Sequence, residues 1–229
     1  MAIAPMAQGL LPLTVPPGFS AHAWVDTVQT QLIRESLNTA RAAGQPERLW
    51  LHGASGVGKT HCVVRLVEDH AGVYLHASTI HPSEFEPIVD TASVRQWVVI
   101  DGVESWLGDR GREEAIFSLW KRYPGVLLFT ARMPPHHIDW LLPDLQSRAR
   151  SALVLPLTRL DDAGLVALLS RQCDARGLVV SDDVMAFLAH RMPRHPATLI
   201  RWIDALDQRS LEAQRRLTIP WIRSVLPEL

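Results

Sequence analysis

The feature that most constrains the fold is Gly53-Ala54-Ser55-Gly56-Val57-Gly58-Lys59-Thr60, with the apolar run Arg48-Leu49-Trp50-Leu51 ahead of it and a helical stretch from His61 to Asp69 behind. Each place in this G-x-x-x-x-G-K-T pattern has a mechanism. The glycines let backbone N–H groups turn toward phosphate oxygens, Lys59 brings a cation to the terminal phosphates, and the Thr60 hydroxyl can hold Mg²⁺ at a helix start that favours anions. The motif requires a strand before it and a helix after it, and both are expected here. The candidate cradle therefore runs from Gly53 to His61.

The same alternation continues. Val73-Tyr74-Leu75-His76, Trp97-Val98-Val99-Ile100, Val126-Leu127-Leu128-Phe129 and Ala152-Leu153-Val154-Leu155 are short apolar runs separated by helical stretches. Such runs suit strands buried on both faces, so a five-stranded parallel sheet covered by helices is expected. Ahead of it, Val28 to Ala43 places Leu32, Ile33, Leu37 and Ala40 at helical spacing. After Pro156 the pattern becomes helical only: Asp161 to Arg176, Ser181 to Met192 with Ser181 as cap, Ala197 to Leu211, and Ile219 to Leu226. The expected organisation is an extended tail over 1–20, an α/β nucleotide-binding domain over 21–157 and a helical lid over 158–229.

Composition narrows the function classes. A net charge of −1 over 229 residues gives no support for sequence-independent DNA coating, which depends on clustered cations. Cys62 and Cys173 are the only cysteines, without Cys-x-x-Cys or Cys/His spacing, so neither a disulfide framework nor a zinc site is suggested. Pro5, Pro12, Pro16 and Pro17 break the N-terminal stretch, and no run reaches the roughly 18 apolar residues of a membrane span. A cytoplasmic protein with no membrane partner is expected. His136-His137 has no third ligand nearby and reads as a solvated loop.

A metal-bound nucleotide needs an acidic group at the end of a neighbouring strand, and Asp101 closes Trp97-Val98-Val99-Ile100. Hydrolysing machines of this kind usually place a second carboxylate directly after the first, to orient water. Here that place holds Gly102; Glu104 follows two residues on and is expected to point elsewhere unless the loop folds back. Weak or absent intrinsic hydrolysis is the consequence.

Five segments, LWLHGASGVGKTH, WVVIDGVESWLGD, LLFTARMPP, LPDLQSRARS and AQRRLTIPWIRSVL, together resemble the AAA+ part of the DnaA family, which comprises bacterial replication initiators and their small regulatory homologues. The resemblance spans roughly residues 20–229. It implies an AAA+ P-loop NTPase fold with a helical lid, and it gives Arg148 the place of an arginine finger acting in trans on a partner's ATP. Where the family places Thr-x-Asp after the fourth strand, this chain has Thr130-Ala131-Arg132, so Thr130 takes the place of the polar sensor and Arg132 stands where the acid would be. Ala197 stands where the lid usually offers a sensing Arg, with Arg194 or Arg201 as substitutes.

The resemblance also implies ADP or ATP with Mg²⁺ on Thr60 and Asp101, a DnaA partner, and attachment to the sliding clamp of the replicative polymerase. Gln8-Gly9-Leu10-Leu11-Pro12-Leu13 resembles the short clamp-binding peptide of replication proteins: the Gln8 amide can pair with backbone groups at a pocket rim while Leu10, Leu11 and Leu13 offer apolar contacts and Pro12 keeps the segment extended. DNA would be met through the clamp, and a homo-oligomer is left open. The function implied is a replication regulator that binds the DNA-loaded clamp and stimulates hydrolysis of DnaA-bound ATP. Its rivals are an independent AAA+ ATPase loading a helicase or transposase, and a nucleotide-free adaptor with a relic P-loop.

Overall fold

The computed structural model describes residues 27–42, 47–70, 72–84 and 97–225. The tail peptide Gln8 to Leu13, with Leu10, Leu11 and Pro12, lies outside them. Five strands, β1 (Arg48–His52), β2 (Val73–His76), β3 (Trp97–Asp101), β4 (Val126–Ala131) and β5 (Leu153–Pro156), form one sheet in the order β2-β3-β4-β1-β5, and every neighbouring pair is parallel. All strands therefore end on one edge, where sheets of this class bind ligands.

Alternate residues of β4 serve two cores, as the two-residue strand period demands. Val126 and Leu128 pack with Ile33 and Leu37 of α1 (Val28–Ala42) and Val63 and Leu66 of α2 (Lys59–His70). Leu127 and Phe129 face Ile116 and Leu119 of α3 (Arg110–Arg122) and Leu145 of α4 (Pro143–Arg150). In that second core Phe129 stacks between Trp50 and Trp120, with ring centroids 5.8 and 5.2 Å away.

Burial on both faces holds for β3 and β4 and for Leu49 to Leu51 of β1, but not for the two edge strands. Leu153 on β5 is exposed, because a strand with one neighbour has less to cover it. The strand also begins one residue later than expected. The Ala152 N–H is used to close α4 on the Ala149 carbonyl at 3.3 Å, and Pro156, lacking an N–H, is tolerated at a sheet edge.

The lid follows as α5 (Asp162–Ala175), α6 (Asp182–Arg191), α7 (Pro196–Ala213) and α8 (Ile219–Val225), around Leu165, Leu169, Leu188, Leu199, Ile203 and Ile222. Asp161 caps α5 by accepting from the Gly164 N–H at 2.8 Å. Ser181 stands at the cap place of α6 without taking a backbone N–H; its hydroxyl serves Asp183 instead, holding that carboxyl below its usual range.

Candidate nucleotide site

The glycine loop leaves β1 at the ligand edge and is tied to both neighbours. The Gly53 N–H donates to the Ala131 carbonyl at 3.2 Å, and the Leu157 N–H to the His52 carbonyl at 2.7 Å. Gly56 and Gly58 have φ of 77° and 102°, a region that side chains disfavour. Gly53 is fixed by crowding: a Cβ there would come within 2.1 Å of the Leu157 carbonyl oxygen. Lys59 bends back over the loop and donates to the carbonyls of Gly53 at 2.7 Å and Ala54 at 3.0 Å. Burial holds its ammonium below the usual lysine range, against the pull of Glu104 and Asp101 and with help from Arg132.

Asp101 is almost fully buried, and both its oxygens are engaged. Oδ2 accepts from the Tyr74 hydroxyl at 2.8 Å, and Oδ1 from the Thr130 hydroxyl, whose oxygen in turn accepts from the Gly102 N–H at 2.9 Å. The carboxylate is thereby locked between three strands, and the donors holding it are neutral hydroxyls, so its charge stays available to a cation. Hard oxygens from Asp101 and Thr60, a lysine and a loop with left-handed glycines fit a magnesium-bound phosphate. Such a metal would neutralise phosphate charge.

Beside the loop lies a cavity of about 590 Å³, lined among others by Gln29, Val57, His61, Cys62, Leu157 and Leu168. It is mainly apolar and opens between α1, the loop, α2 and the lid, a setting suited to the base and sugar of a nucleotide. Burial pushes the His61 imidazole down, which keeps it neutral there. Gln29 fixes the crossing from sheet to lid: its amide donates to the Pro156 carbonyl at 2.7 Å and accepts from the Thr158 N–H at 3.1 Å.

Three placements differ from the sequence reading. Gly102 adopts φ 74° and turns the chain into a single 3₁₀ turn over Val103–Trp106, so the loop after β3 does fold back. Glu104 becomes the strongest favourable charge on Lys59, and its Oε1 pairs with Arg132 Nε at 3.2 Å. In the lid, Arg194 is turned to Asp162 at 2.6 Å and Arg201 is exposed. The residue that reaches the loop is His195, whose Nε2 lies 1.5 Å from where a Gly56 Cβ would be. Tyr74, Arg132 and His195 were not foreseen as site residues. The only hint in the sequence was that Arg132 stands at, and His195 close to, a place where the DnaA pattern is broken.

Arg148 lies apart from this cluster. It is exposed in the last turn of α4, with its guanidinium 5.4 Å from the centre of the Phe117 ring on α3. It forms no ion pair among the described residues, and it is not among the charges acting on Lys59. His136 and His137 are exposed, and no group of metal-binding side chains occurs among the described residues.

Comparison with known proteins gives a consistent picture. Residues 162–226 match the family model described as Hda, lid domain. Domain III of the Thermotoga maritima replication initiation protein DnaA superposes with a TM-score of 0.75 at 16% identity, covering 94% of this chain and 96% of that one. The lid therefore matches that of Hda, and the fold is that of DnaA domain III. AMPPCP-bound DnaA of Aquifex aeolicus gives a TM-score of 0.69 at 15% identity over 87% of this chain and 68% of that one. An uncharacterized protein of Haemophilus influenzae is 29% identical over 206 residues, 85% of this chain and 88% of that protein. The chain thus has the fold of the AAA+ part of DnaA, with the parallel sheet and helical lid in place. No helix of the described residues is long and apolar enough to cross a membrane.

Proposed function

We propose that this Hda-like protein is a negative regulator of replication initiation that stimulates hydrolysis of ATP held by DnaA. An adenine nucleotide, ADP or ATP, sits in cis on Gly53 to His61, with Thr60 and Asp101 on Mg²⁺ and Thr130 holding Asp101 in place. Arg194 would have to leave Asp162 to reach the phosphates, so His195 takes the lid's contact. The nucleotide sets the angle between sheet and lid, and through it the presentation of Arg148.

The observation that carries this reading is the position of Arg148: an exposed cation, free of any carboxylate among the described residues, held over Phe117 and away from the chain's own Lys59. Such a group is suited to a phosphate on another molecule. Arginine fingers in related phosphate-hydrolysing systems contribute about 10³ to 10⁵ in rate. Gln8 to Leu13 would bring the protein to the DNA-loaded clamp.

The test is conversion of DnaA-bound labelled ATP to ADP, with and without DNA-loaded clamp, by the wild-type protein and by Arg148→Ala and Gln8→Ala. Clamp-dependent conversion by the wild type, lost in both variants, supports the reading. Undiminished conversion by Arg148→Ala refutes the finger, and conversion by Gln8→Ala equal to wild type refutes the clamp peptide.

A further inference from the structure

We infer that Glu104 replaces the missing carboxylate at Gly102 and orients the water that attacks nucleotide bound in this chain's own site, with Arg132 as its positioning residue. The inference rests on the nucleotide reading of the glycine loop. Three observations carry it. Glu104 Oε2 is buried and takes no hydrogen bond from any described residue; a buried carboxylate oxygen without a donor calls for an explanation. Its twin Oε1 is anchored by Arg132 Nε at 3.2 Å, which fixes the direction of the free oxygen. The left-handed Gly102 starts this turn directly after Asp101 at the end of β3, and Glu104 is the largest opposite charge acting on Lys59 of the glycine loop.

A larger residue at Gly102 would disfavour that turn, since φ 74° is strained for any side chain. The glycine that removes the usual carboxylate is therefore also what lets Glu104 return. In the step, the water oxygen forms a bond to the γ-phosphorus and its proton passes to Glu104 Oε2. The bond from the γ-phosphorus to the bridging oxygen breaks, and its electron pair leaves on ADP. Arg132 stands where the DnaA pattern has an acid, and a cation there holds Glu104 instead of repelling it.

The experiment has two arms. Binding of Mg²⁺·AMPPCP, and of Mg²⁺·ADP with aluminium fluoride as a mimic of the transferring phosphoryl group, is measured by titration for wild type, Glu104→Gln, Arg132→Ala and the double variant. Single-turnover ATP hydrolysis by the same proteins, without partner, is the second arm. Glu104→Gln is expected to bind AMPPCP within about twofold of wild type, to lose the tight aluminium fluoride complex, and to hydrolyse about 100-fold more slowly, the usual scale for a general base. Arg132→Ala should fall partway, and the double variant no further than Glu104→Gln. Wild-type hydrolysis by Glu104→Gln, or no hydrolysis by a wild type that binds AMPPCP, overturns the role of Glu104. Failure of the wild type to bind either nucleotide overturns the underlying reading.

Discussion

Replacing Glu113 by Gln tests how the face carrying Arg148 is built. Glu113 on α3 is fully buried, and its carboxylate takes three backbone donors: the Gly108 N–H on Oε1 at 3.1 Å, and the Leu141 and Leu142 N–H groups on Oε2 at 2.9 and 3.0 Å. Leu142 is the cap position of α4 and has no side-chain cap of its own, so this carboxylate secures the entry to the helix that ends near Arg148. Gln is isosteric but keeps only one acceptor. Its best orientation holds the Leu141 and Leu142 bonds and turns an NH₂ toward the Gly108 donor. One charge-assisted bond is lost and a buried N–H is left facing another donor, which together cost about 2–4 kcal/mol. For a chain of this size that lowers the unfolding midpoint by about 4–16 °C. Thermal unfolding followed by tryptophan fluorescence reports it, because Trp50, Trp97, Trp106 and Trp120 all lie in the sheet cores. A midpoint within about 1 °C of wild type would refute the argument that this carboxylate fastens α4.

Gly56→Ala places a Cβ at φ 77° against His195; it should cost about 1–2 kcal/mol from the backbone alone. Adding His195→Ala should relieve only the contact, so in calorimetry the double variant stays below a His195→Ala protein; equal midpoints would show that the loop backbone is free to change. Burial and the Asp101 carboxylate hold the Tyr74 hydroxyl above its ordinary value of 10.0. A raised acid contributes stability that is complete below the unfolded value and declines as pH rises beyond it, so the advantage of wild type over Tyr74→Phe should shrink from about pH 10 upward. Urea titrations at pH 8 and 11 check this, and a constant gap would contradict it. Burial pushes Cys62 up to about 12 and Cys173 up to about 11. Iodoacetamide at pH 8 should therefore label neither in the folded protein and both in urea, as mass spectrometry would show, since the thiolate is the reactive form.

The parts legible in the sequence were those with a short-range signature. The G-x-x-x-x-G-K-T loop, the apolar strands and the lid helices each carry their instruction within a few residues, and β3 ending at Asp101 followed from one apolar run. The partners that hold the site together come from far along the chain. Tyr74 reaches Asp101 across 27 residues, Thr130 across 29, and Glu113 reaches Leu142 across 29. Nothing local marks Glu113 as different from Glu114, one residue on and exposed to solvent. Only the packing of α3 against α4 turns one carboxylate inward.

The positions where the chain departs from the DnaA pattern, Gly102, Arg132 and Ala197, are scattered in sequence, yet each has a neighbour of fitting chemistry near the glycine loop. Beside Gly102 the returning turn brings Glu104; Arg132, a cation where an acid is usual, pairs with that same Glu104; and two residues before Ala197, His195 lies on Gly56. Independent decay would scatter unpaired changes through a site. Here the first two departures require each other: without the left-handed glycine Glu104 could not return, and with an acid at 132 it would be repelled. That coupling makes a non-additive Glu104 and Arg132 pair the sharpest discriminator between a reorganised nucleotide site and a relic one, because residues that work as a unit lose their effect together while residues in a relic site do not.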